Sequence, residues 1–435
     1  MRILHLSPRY WPIIGGAEIY LGAISARLAG EGHQVTVATT DALDLDYFWD
    51  RRRRHVPQPT DQHAGVRILR FPARQLPLGA VAYAGVRRLL WLLSKTRVVP
   101  IAALHRLARF TPWSPDLWHW LATTEEPFDL VAGTVICLES VMEAGLRFAQ
   151  RRGIPFVAYP LTHLGAGPQP ARDALSSFYT MRHQVNLVQS SSAAVCMTPA
   201  ESAFYAARGM PAERLPIASP AITPAEVLGG DGARFRLRHG IHGPLVVSLA
   251  SMAYDKGTMH LVEAVRWLWQ AGQTLELVLA GAITPPFRAY LTRLPPDDRA
   301  RLRVLGAVDD AEKRDLLAAA DVFAMPSRTD SFGIVYLEAW LYRKPVIGAR
   351  TWGVMDVIDD GRDGLLVPFG DVPALTAALS DLLSGAAGRA EMGARGAEKV
   401  YRMYTWDIQY PRVREIYRQL AENPHGRGAN NASGD

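Results

Sequence analysis

The segment from Val322 to Leu341 sets the strongest constraint on how this chain folds. It opens with a short apolar run, Val322–Met325, that ends at Pro326, which is typical of a buried strand. A polar turn follows over Ser327–Ser331, and the next apolar residues recur at helical spacing, at Ile334, Val335, Leu337 and Leu341. The predicted order is strand, loop and helix, and such a loop is a common place for a ligand.

The start of the predicted helix has the properties of a phosphate site. The first amides of a helix have no intrahelical acceptor and lie at the positive end of the helix dipole. The residues concerned are Ser331, Phe332, Gly333 and Ile334, and Gly333 leaves room for a ligand to come close. We therefore predict that these residues bind phosphate.

Two carboxylates accompany the predicted phosphate site. Asp330 lies in the loop, and Glu338 lies roughly 6 Å along a helix that starts near Ile334 and rises about 1.5 Å per residue. A carboxylate accepts two hydroxyl hydrogen bonds in a fork, which suits the vicinal diol of a ribose or a hexose. The combination predicts a nucleotide sugar as the ligand. The alternative is an aspartate that caps the helix, followed by one surface glutamate.

The run PSRTDSFGIVYLEAWLYRKPVIG, Pro326 to Gly348, resembles the retaining glycosyltransferases of family 4, whose pattern is close to PSxxEGFGxxxLEAxAxGxPVI. The resemblance implies the GT-B fold, in which two Rossmann-like, doubly wound α/β domains face each other across a cleft. It also implies that Glu338 holds the donor ribose. Asp330 stands where the family has its first Glu, and the resemblance implies that it holds the donor hexose.

Two phrases in the first half of the chain resemble the same family. In PIIGGAE, Gly15 and Gly16 follow the predicted strand Ile3–Ser7 and match a glycine pair that lies against donor and acceptor. In THLG, His163 follows the predicted strand Ile154–Ala158 and matches a histidine close to the reacting centre. The alternatives are a tight turn without a ligand for the glycines and a structural role for the histidine.

In the second half, the phrase SMAYDKG resembles the family's GRLxxxKG, whose Arg and Lys hold the donor diphosphate. Lys256 is kept, whereas Ser251 stands in place of the Arg. The resemblance implies that Lys256 binds the diphosphate, with Ser251 and with Gly281, which ends another predicted strand, beside the donor. The phrase TWGVMD, around Gly353, resembles GGxxEV with a Trp in place of one Gly.

The chain of 435 residues is long enough for two domains. We predict a first Rossmann-like domain over residues 1–218, on the acceptor side, and a second, nucleotide-sugar-binding domain over residues 219–404. A helix over residues 405–421 is predicted to cross back to the first domain, as in the family. Residues 422–435 are predicted to be a disordered tail.

Composition excludes several classes of protein. Hydrophobic residues make up 49% and charged residues 21%, and no apolar run reaches the roughly 18 residues that span a bilayer. The first apolar run is too short for a signal peptide, which predicts a cytoplasmic protein. The only cysteines, Cys137 and Cys196, exclude a disulfide framework and a cysteine zinc site. The net charge of +6 favours anionic partners.

Residues 41–126 are the least typical part of the chain and are predicted to be a basic, apolar insert. From Arg87 to Arg109, basic residues alternate with Trp91 and many aliphatic residues, and more tryptophans follow up to Trp120. This pattern predicts that residues 87–120 contact an anionic membrane surface, on the inner face of the membrane. The alternative is a set of amphipathic helices packed on the first domain. No nucleic-acid partner is predicted, because no recognition motif accompanies the arginines.

The resemblance implies a metal-independent retaining enzyme that moves a hexose from a nucleotide-diphosphate sugar to a glycan or lipid-linked acceptor. The resemblance places His163, Lys256, Asp330 and Glu338 at the catalytic centre. It implies no cofactor and no metal, so the DxD pair of Asp44 and Asp46 is not read as a metal site. A sugar-nucleotide epimerase and a degenerate glycan- or lipid-binding module are the alternatives. The base, the hexose, the acceptor and the oligomeric state are left open by the sequence.

Overall fold

A computed structural model describes residues 1–422 of the chain. Contacts divide the chain into two compact units. The first unit comprises residues 1–162, 174–219 and 410–422, and the second comprises residues 163–173 and 220–409. The predicted first domain, 1–218, included residues 163–173, which the structure groups with the second unit.

The first unit contains a sheet with strand order β3-β4-β2-β1-β5-β6-β7. Strand β3 pairs antiparallel with β4, and the other six strands run parallel to one another. The strands are β1 (Arg2–Ser7), β2 (Gln34–Thr40), β3 (Thr60–His63), β4 (Val66–Phe71), β5 (Leu130–Thr134), β6 (Phe156–Tyr159) and β7 (Ala193–Ala194). The helices are α1 (Gly16–Gly30), α2 (Ala80–Lys95), α3 (Ile101–Ala108), α4 (Pro115–Thr123), α5 (Glu139–Arg152), α6 (Arg182–Gln189) and α7 (Pro199–Ala206). The central strands are almost entirely buried, as expected for parallel strands covered on both faces.

The second unit contains a sheet that is parallel throughout, with strand order β10-β9-β8-β11-β12-β13. The strands are β8 (Leu245–Leu249), β9 (Glu276–Ala280), β10 (Leu302–Gly306), β11 (Val322–Met325), β12 (Val346–Ala349) and β13 (Gly364–Val367). The helices are α8 (Pro224–Val227), α9 (Gly232–His239), α10 (Thr258–Gln270), α11 (Pro285–Leu291), α12 (Pro296–Arg301), α13 (Asp310–Ala319), α14 (Ile334–Leu341), α15 (Val372–Ser384) and α16 (Ala386–Met403). Two α/β units with parallel sheets confirm the predicted fold class.

The last described helix, α17, runs from Trp406 to Glu422 and continues into the first unit from Tyr410. Tyr417 is fully buried there, and its hydroxyl lies 3.1 Å from Nε2 of His5 in β1. The helix was predicted over 405–421. Apart from Glu422, the tail predicted over residues 422–435 lies outside the described residues.

The predicted insert over residues 41–126 is in part an integral piece of the first sheet. Strand β4 pairs in parallel with β2, with Thr36 opposite Arg67, and β3 pairs with the outer side of β4. The exposed, basic Arg67 alternates with buried Val66 and Ile68, as in a strand near a sheet edge. Because basic residues alternate with apolar ones along β4, the strand was not recognised within the basic composition of this stretch.

The helices that follow are partly core and partly surface. Leu90, Leu104 and Ala108 are fully buried in one cluster with Met181. Arg87, which was predicted to face a membrane, is instead held by the buried Glu139, with 2.7 Å between Nη1 and Oε1. Because its guanidinium is paired inside the unit, Arg87 is removed from the predicted membrane surface. Among residues 1–422, no helix has the length and apolar character needed to cross a bilayer.

The buried His5 makes the stability of the fold depend on pH. Its Nδ1 lies 2.8 Å from Ser25 Oγ, and burial lowers the pKa of His5 to about 3. An ordinary histidine has a pKa of about 6.5, so between these values the unfolded chain binds a proton that the folded chain does not. Stability should therefore fall as the pH decreases through this window.

We expect His5→Gln to flatten this dependence, because the variant has no ring to titrate. One proton contributes up to about 1.4 kcal/mol per pH unit to the free energy of unfolding. Urea denaturation at a series of pH values measures the slope for the parent, for His5→Gln and for a control variant of the exposed His119, His119→Gln. Equal slopes for the parent and His5→Gln would contradict the assignment.

Candidate active site

The candidate site lies in the second unit, where the adjacent strands β8 and β11 end. The carboxyl edge of a parallel sheet is the usual position of ligands in such folds. The loop after β11 rests on the loop after β8, since the Arg328 N–H donates to the carbonyl of Asp255 over 2.9 Å. Gly257 adopts φ +73°, and a Cβ there would lie 2.2 Å from the carbonyl oxygen of Pro326. Only glycine permits this approach.

Lys256 and Asp330 form an ion pair between these two loops. The Lys256 Nζ lies 2.9 Å from each carboxylate oxygen of Asp330, and the two side chains are 26% and 19% exposed. Burial opposes ionisation of Asp330, but the charge of Lys256 and a hydrogen bond from Ser327 outweigh it, so the pKa of Asp330 lies below its usual value. The carboxylate of Asp330 is therefore held in its ionised form, facing the Lys256 side chain.

His163 joins this pair from the segment 163–173. Its Nδ1 lies 2.8 Å from Ser331 Oγ, in the loop that carries Asp330. Burial, together with the nearby ammonium of Lys256, lowers the pKa of His163 to about 4, while Asp330 acts in the opposite direction. At neutral pH the ring is therefore uncharged.

Trp352 holds the segment that carries His163. Its backbone N–H donates to the carbonyl of Gly165 over 3.1 Å, and its indole Nε1–H donates to the carbonyl of Gly167 over 3.0 Å. The next residue, Gly353, packs closely against the same site, since a Cβ there would lie 2.1 Å from the carbonyl oxygen of Ser331. From the sequence, Trp352 was noted only as a Trp in place of a family Gly, and that departure was the one feature that could have pointed to a specific role for it.

The start of α14 has the backbone that the sequence predicted. Gly333 is the residue before the first turn, at φ +88°, and a Cβ there would lie 2.3 Å from the ring of Tyr336. Ile334 is the first helical residue. Phe332 is buried, with its ring 5.4 Å from that of Tyr404, so its side chain anchors the loop.

Glu338 has its own cationic partner. Its Oε1 lies 3.1 Å from Nζ of Lys313 in α13, and the Glu338 side chain is 12% exposed. Burial acts against the charge of Lys313, but the carboxylate of Glu338 outweighs it, so the pKa of Lys313 is raised. Sequence reasoning missed Lys313 because nothing in the spacing of α13 distinguishes it from a surface lysine. Each predicted acid is thus paired with one lysine.

Two further predicted residues lie at the ends of neighbouring strands. Ser251 is exposed just after β8. Gly281, at φ +127°, follows β9, and a Cβ there would lie 2.0 Å from the carbonyl oxygen of Ala250, so glycine lets the two strand ends meet. The guanidinium of Arg328 is bound by Asp255, with 2.7 Å between Nε and Oδ1, and lies 5.0 Å from the ring of Phe369. Arg328 is therefore a second cation beside the loop that carries Lys256.

Gly15 and Gly16 belong to the first unit. Gly15 precedes the first turn of α1, and a Cβ on it would lie 2.3 Å from Oε2 of Glu18. Glu18 in turn binds Arg9 over 2.8 Å. Within residues 1–422, no group of three or more His, Cys, Asp or Glu side chains is arranged to hold a metal ion.

Two family models match most of this chain. The model described as "Glycosyl transferase 4-like domain" matches residues 15–220, and the model described as "Glycosyl transferases group 1" matches residues 243–385. The second match contains Lys256, Asp330 and Glu338. The chain belongs to the group 1 glycosyl transferases.

Characterised relatives of this family member include mannosyltransferases. A GDP-mannose-dependent monoacylated alpha-(1-6)-phosphatidylinositol monomannoside mannosyltransferase of Corynebacterium glutamicum is 30% identical over 45% of this chain and 52% of that protein. The alignments with the first relatives thus span about half of their length. A GDP-mannose-dependent alpha-(1-6)-phosphatidylinositol monomannoside mannosyltransferase of Mycobacterium tuberculosis is 26% identical over 96% of this chain and 98% of that protein.

Solved structures of glycosyltransferases share the fold. Sucrose-phosphate synthase from Thermosynechococcus elongatus gives a TM-score of 0.70 at 20% identity and covers 97% of this chain and 99% of that one. Anabaena HepE in complex with UDP and glucose gives 0.69 at 18% identity, over 96% of this chain and 100% of that one. These likenesses establish the GT-B fold for the group 1 glycosyl transferase described here.

The neutral state of His163 is testable by NMR. In the parent, we expect the ring signals of His163 to remain unchanged from pH 7 down to about pH 5, because its pKa is about 4. In Lys256→Met, the carboxylate of Asp330 loses its counter-ion, so the pKa of His163 should rise. The exposed His119 is the internal reference. A His163 ring that titrates near pH 6.5 in the parent would refute this account.

Proposed function

We propose that this protein is a retaining glycosyltransferase that moves a hexose from a nucleotide-diphosphate sugar to an acceptor hydroxyl in glycan, polysaccharide or glycolipid synthesis. The observation that carries the proposal is the constellation of Lys256, Asp330, Ser331 and His163 at the carboxyl edge of the second sheet. It contains a cation for phosphate, an anion for hydroxyls and a neutral hydrogen-bonding ring, which a nucleotide sugar requires together.

Each residue takes a role that follows from its charge and position. Lys256 binds the diphosphate, assisted by the amides at Gly333 and Ile334. Asp330 accepts hydrogen bonds from the hexose and Glu338 from the ribose. His163, held by Ser331, contacts the hexose near its reacting carbon. Phe332 anchors the loop, and Ser251 and Gly281 lie beside the donor, where a small side chain and the lack of one leave space.

The reaction breaks the bond between C1 of the hexose and the phosphate oxygen, and it forms a bond between C1 and the acceptor oxygen on the same face. The acceptor proton passes to the departing phosphate, so no side chain has to act as a nucleophile. Negative charge grows on the leaving diphosphate, and Lys256 stabilises that charge more in the transition state than in the ground state. In this proposal no metal ion takes part, because Lys256 and the helix amides provide the positive charge.

The names of the relatives guide the choice of substrates. Those from Corynebacterium glutamicum and Mycobacterium tuberculosis are named as GDP-mannose-dependent enzymes that act on a phosphatidylinositol monomannoside. GDP-mannose is accordingly the first donor to test here. The proposed acceptor is lipid-linked, which would place the reaction in the cytoplasm, on the inner face of the membrane.

Helix α2 and the residues just before and after it provide a surface suited to such a membrane. No acidic residue lies between Asp61 and Asp116 in the sequence. Basic and large apolar side chains are exposed together along this stretch, at Leu78, Val81, Arg88, Leu89, Leu92, Lys95, Arg97 and Val98. Such a mixture attracts anionic headgroups and buries aliphatic side chains at the lipid boundary. We propose peripheral binding through these residues.

The activity is tested by mixing the full chain with GDP-mannose, UDP-glucose and other nucleotide sugars and measuring nucleoside diphosphate release. We expect Lys256→Ala to lower kcat/KM by about 100-fold or more, since an electrostatic contact to developing charge is lost, and Lys256→Arg to retain more activity. Arg238→Ala, which changes an exposed arginine, is the control.

The products decide between the candidate activities. Transfer with retained anomeric configuration supports the proposal. An epimerised nucleotide sugar without release of nucleoside diphosphate would identify an isomerase instead. Nucleotide-sugar binding without turnover of any donor would identify a binding module. Unchanged turnover in Lys256→Ala would remove Lys256 from the reaction.

Membrane binding is tested with vesicles of phosphatidylglycerol and phosphatidylcholine. We expect the triple variant Arg88→Glu, Lys95→Glu and Arg97→Glu to lose co-sedimentation, because each basic residue near an anionic surface contributes about 1 kcal/mol. The parent should also bind less as salt rises, since screening shortens the reach of the attraction. A control triple variant, Arg293→Glu, Arg299→Glu and Arg402→Glu, changes exposed arginines elsewhere. Parent protein that ignores these vesicles at low salt would exclude this surface.

A further inference from the structure

A depression of about 690 Å³ lies at the amino edge of the second sheet, at the opposite edge from the candidate active site. Its lining includes Pro244 and Asp321, which directly precede β8 and β11. It also includes Lys344, which lies two positions before the first residue of β12. Because these strands are parallel, their amino ends share one edge, whereas Lys256 and Asp330 follow the carboxyl ends. A strand as long as β8 separates the two edges by roughly 16 Å.

The lining is rich in positive charge. Arg236 of α9, Arg389 of α16 and Lys344 face a single carboxylate, Asp321. Arg236 Nη2 donates to Asp321 Oδ2 over 2.7 Å, while Arg389 Nη2 remains 3.8 Å from Oδ1, beyond hydrogen-bonding distance. Other donors of both arginines cap carbonyl groups near helix ends, such as that of Ala319. One carboxylate therefore lies among three cations and is hydrogen-bonded by the side chain of only one of them, Arg236.

Lys344 is the cation that this arrangement leaves over. Within the described part of the chain, its ammonium has no hydrogen-bond or ion-pair partner, although the residue is half-buried. Burial lowers the pKa of Lys344, and Arg236 and Arg389 lower it further, while Asp321 opposes them. A partly desolvated ammonium with three unused donors is costly, and an oxyanion placed among Lys344 and Arg389 would offset that cost.

We propose that this depression binds a small phosphate-bearing molecule, as a site separate from the donor site. Its size falls in the range of small-molecule pockets. Apart from His242, the rest of the lining consists of glycine, alanine and proline, and it contains no Phe, Tyr or Trp that would offer a nucleobase a large stacking surface. A compact ligand such as inorganic phosphate or a hexose phosphate matches this chemistry better than a nucleotide.

The test measures binding of inorganic phosphate and of a hexose 6-phosphate to the full chain by calorimetry. It uses Lys256→Met protein throughout, so that the other candidate phosphate site is disabled. In this background, we expect a further Lys344→Met change to weaken binding of both probes about tenfold or more, because a charge-assisted hydrogen bond is lost. Lys344→Arg should retain binding, and Arg238→Ala should leave it unchanged.

Unphosphorylated hexose should not bind, which separates recognition of phosphate from recognition of sugar. Thermal unfolding verifies that each variant is folded, and Lys344→Gln replaces Lys344→Met if the latter is not. Equal phosphate affinity with and without the change at Lys344 would overturn the proposal. Absence of phosphate binding in Lys256→Met protein would overturn it as well.

Discussion

The close approach of the loops after β8 and β11 is the constraint on which the candidate active site depends. Gly257 touches the carbonyl of Pro326 at a distance that no side chain tolerates, and the backbone of Arg328 bonds to that of Asp255. This contact sets Lys256 opposite Asp330 in an ion pair. Since Ser331 follows in the same loop, the position of His163 depends on the same approach.

Charge pairing explains how such a site selects its ligand. Asp330 is paired with Lys256 and Glu338 with Lys313, and all four side chains are largely shielded from water. A ligand that took only the lysine of a pair would leave a carboxylate without its partner, which is unfavourable in a shielded site. Under the proposed function, a nucleotide sugar provides phosphate for Lys256 and hydroxyl groups for the acids. Phosphate alone and sugar alone satisfy only part of the set, so selectivity arises from the combination.

The sequence was sufficient for those features that local pattern determines. The strand Val322–Met325 and the helix from Ile334 follow from apolar spacing and from Pro326, and both occur as predicted. Alternating strands and helices likewise predicted the two parallel sheets. Spacing could not reveal Lys313, because its partner Glu338 lies on another helix and only the tertiary fold brings the two side chains within 3.1 Å.

Composition misled where tertiary contacts override it. The basic stretch after Asp41 contains the strands β3 and β4. Arg87 forms an ion pair with the buried Glu139, which lies 52 positions later in the sequence and could not be assigned as its partner from the local pattern. Trp352 illustrates the converse. A residue that breaks the family pattern acquires its role from carbonyl groups almost two hundred positions earlier in the chain. Such long-range pairings belong to the fold and not to any window of sequence.

The way the chain passes between the two units limits where it can be divided into independent fragments. The backbone enters the second unit at His163, returns to the first at Ala174, leaves again at Pro220 and re-enters the first unit at Tyr410. A single cut between Ser219 and Pro220 would leave the segment of His163 on one fragment and the Trp352 that binds it on the other. The same cut would separate Tyr417 from His5. Neither half is a transferable module, so exchange of the second unit between relatives has to carry two short pieces of chain along with it.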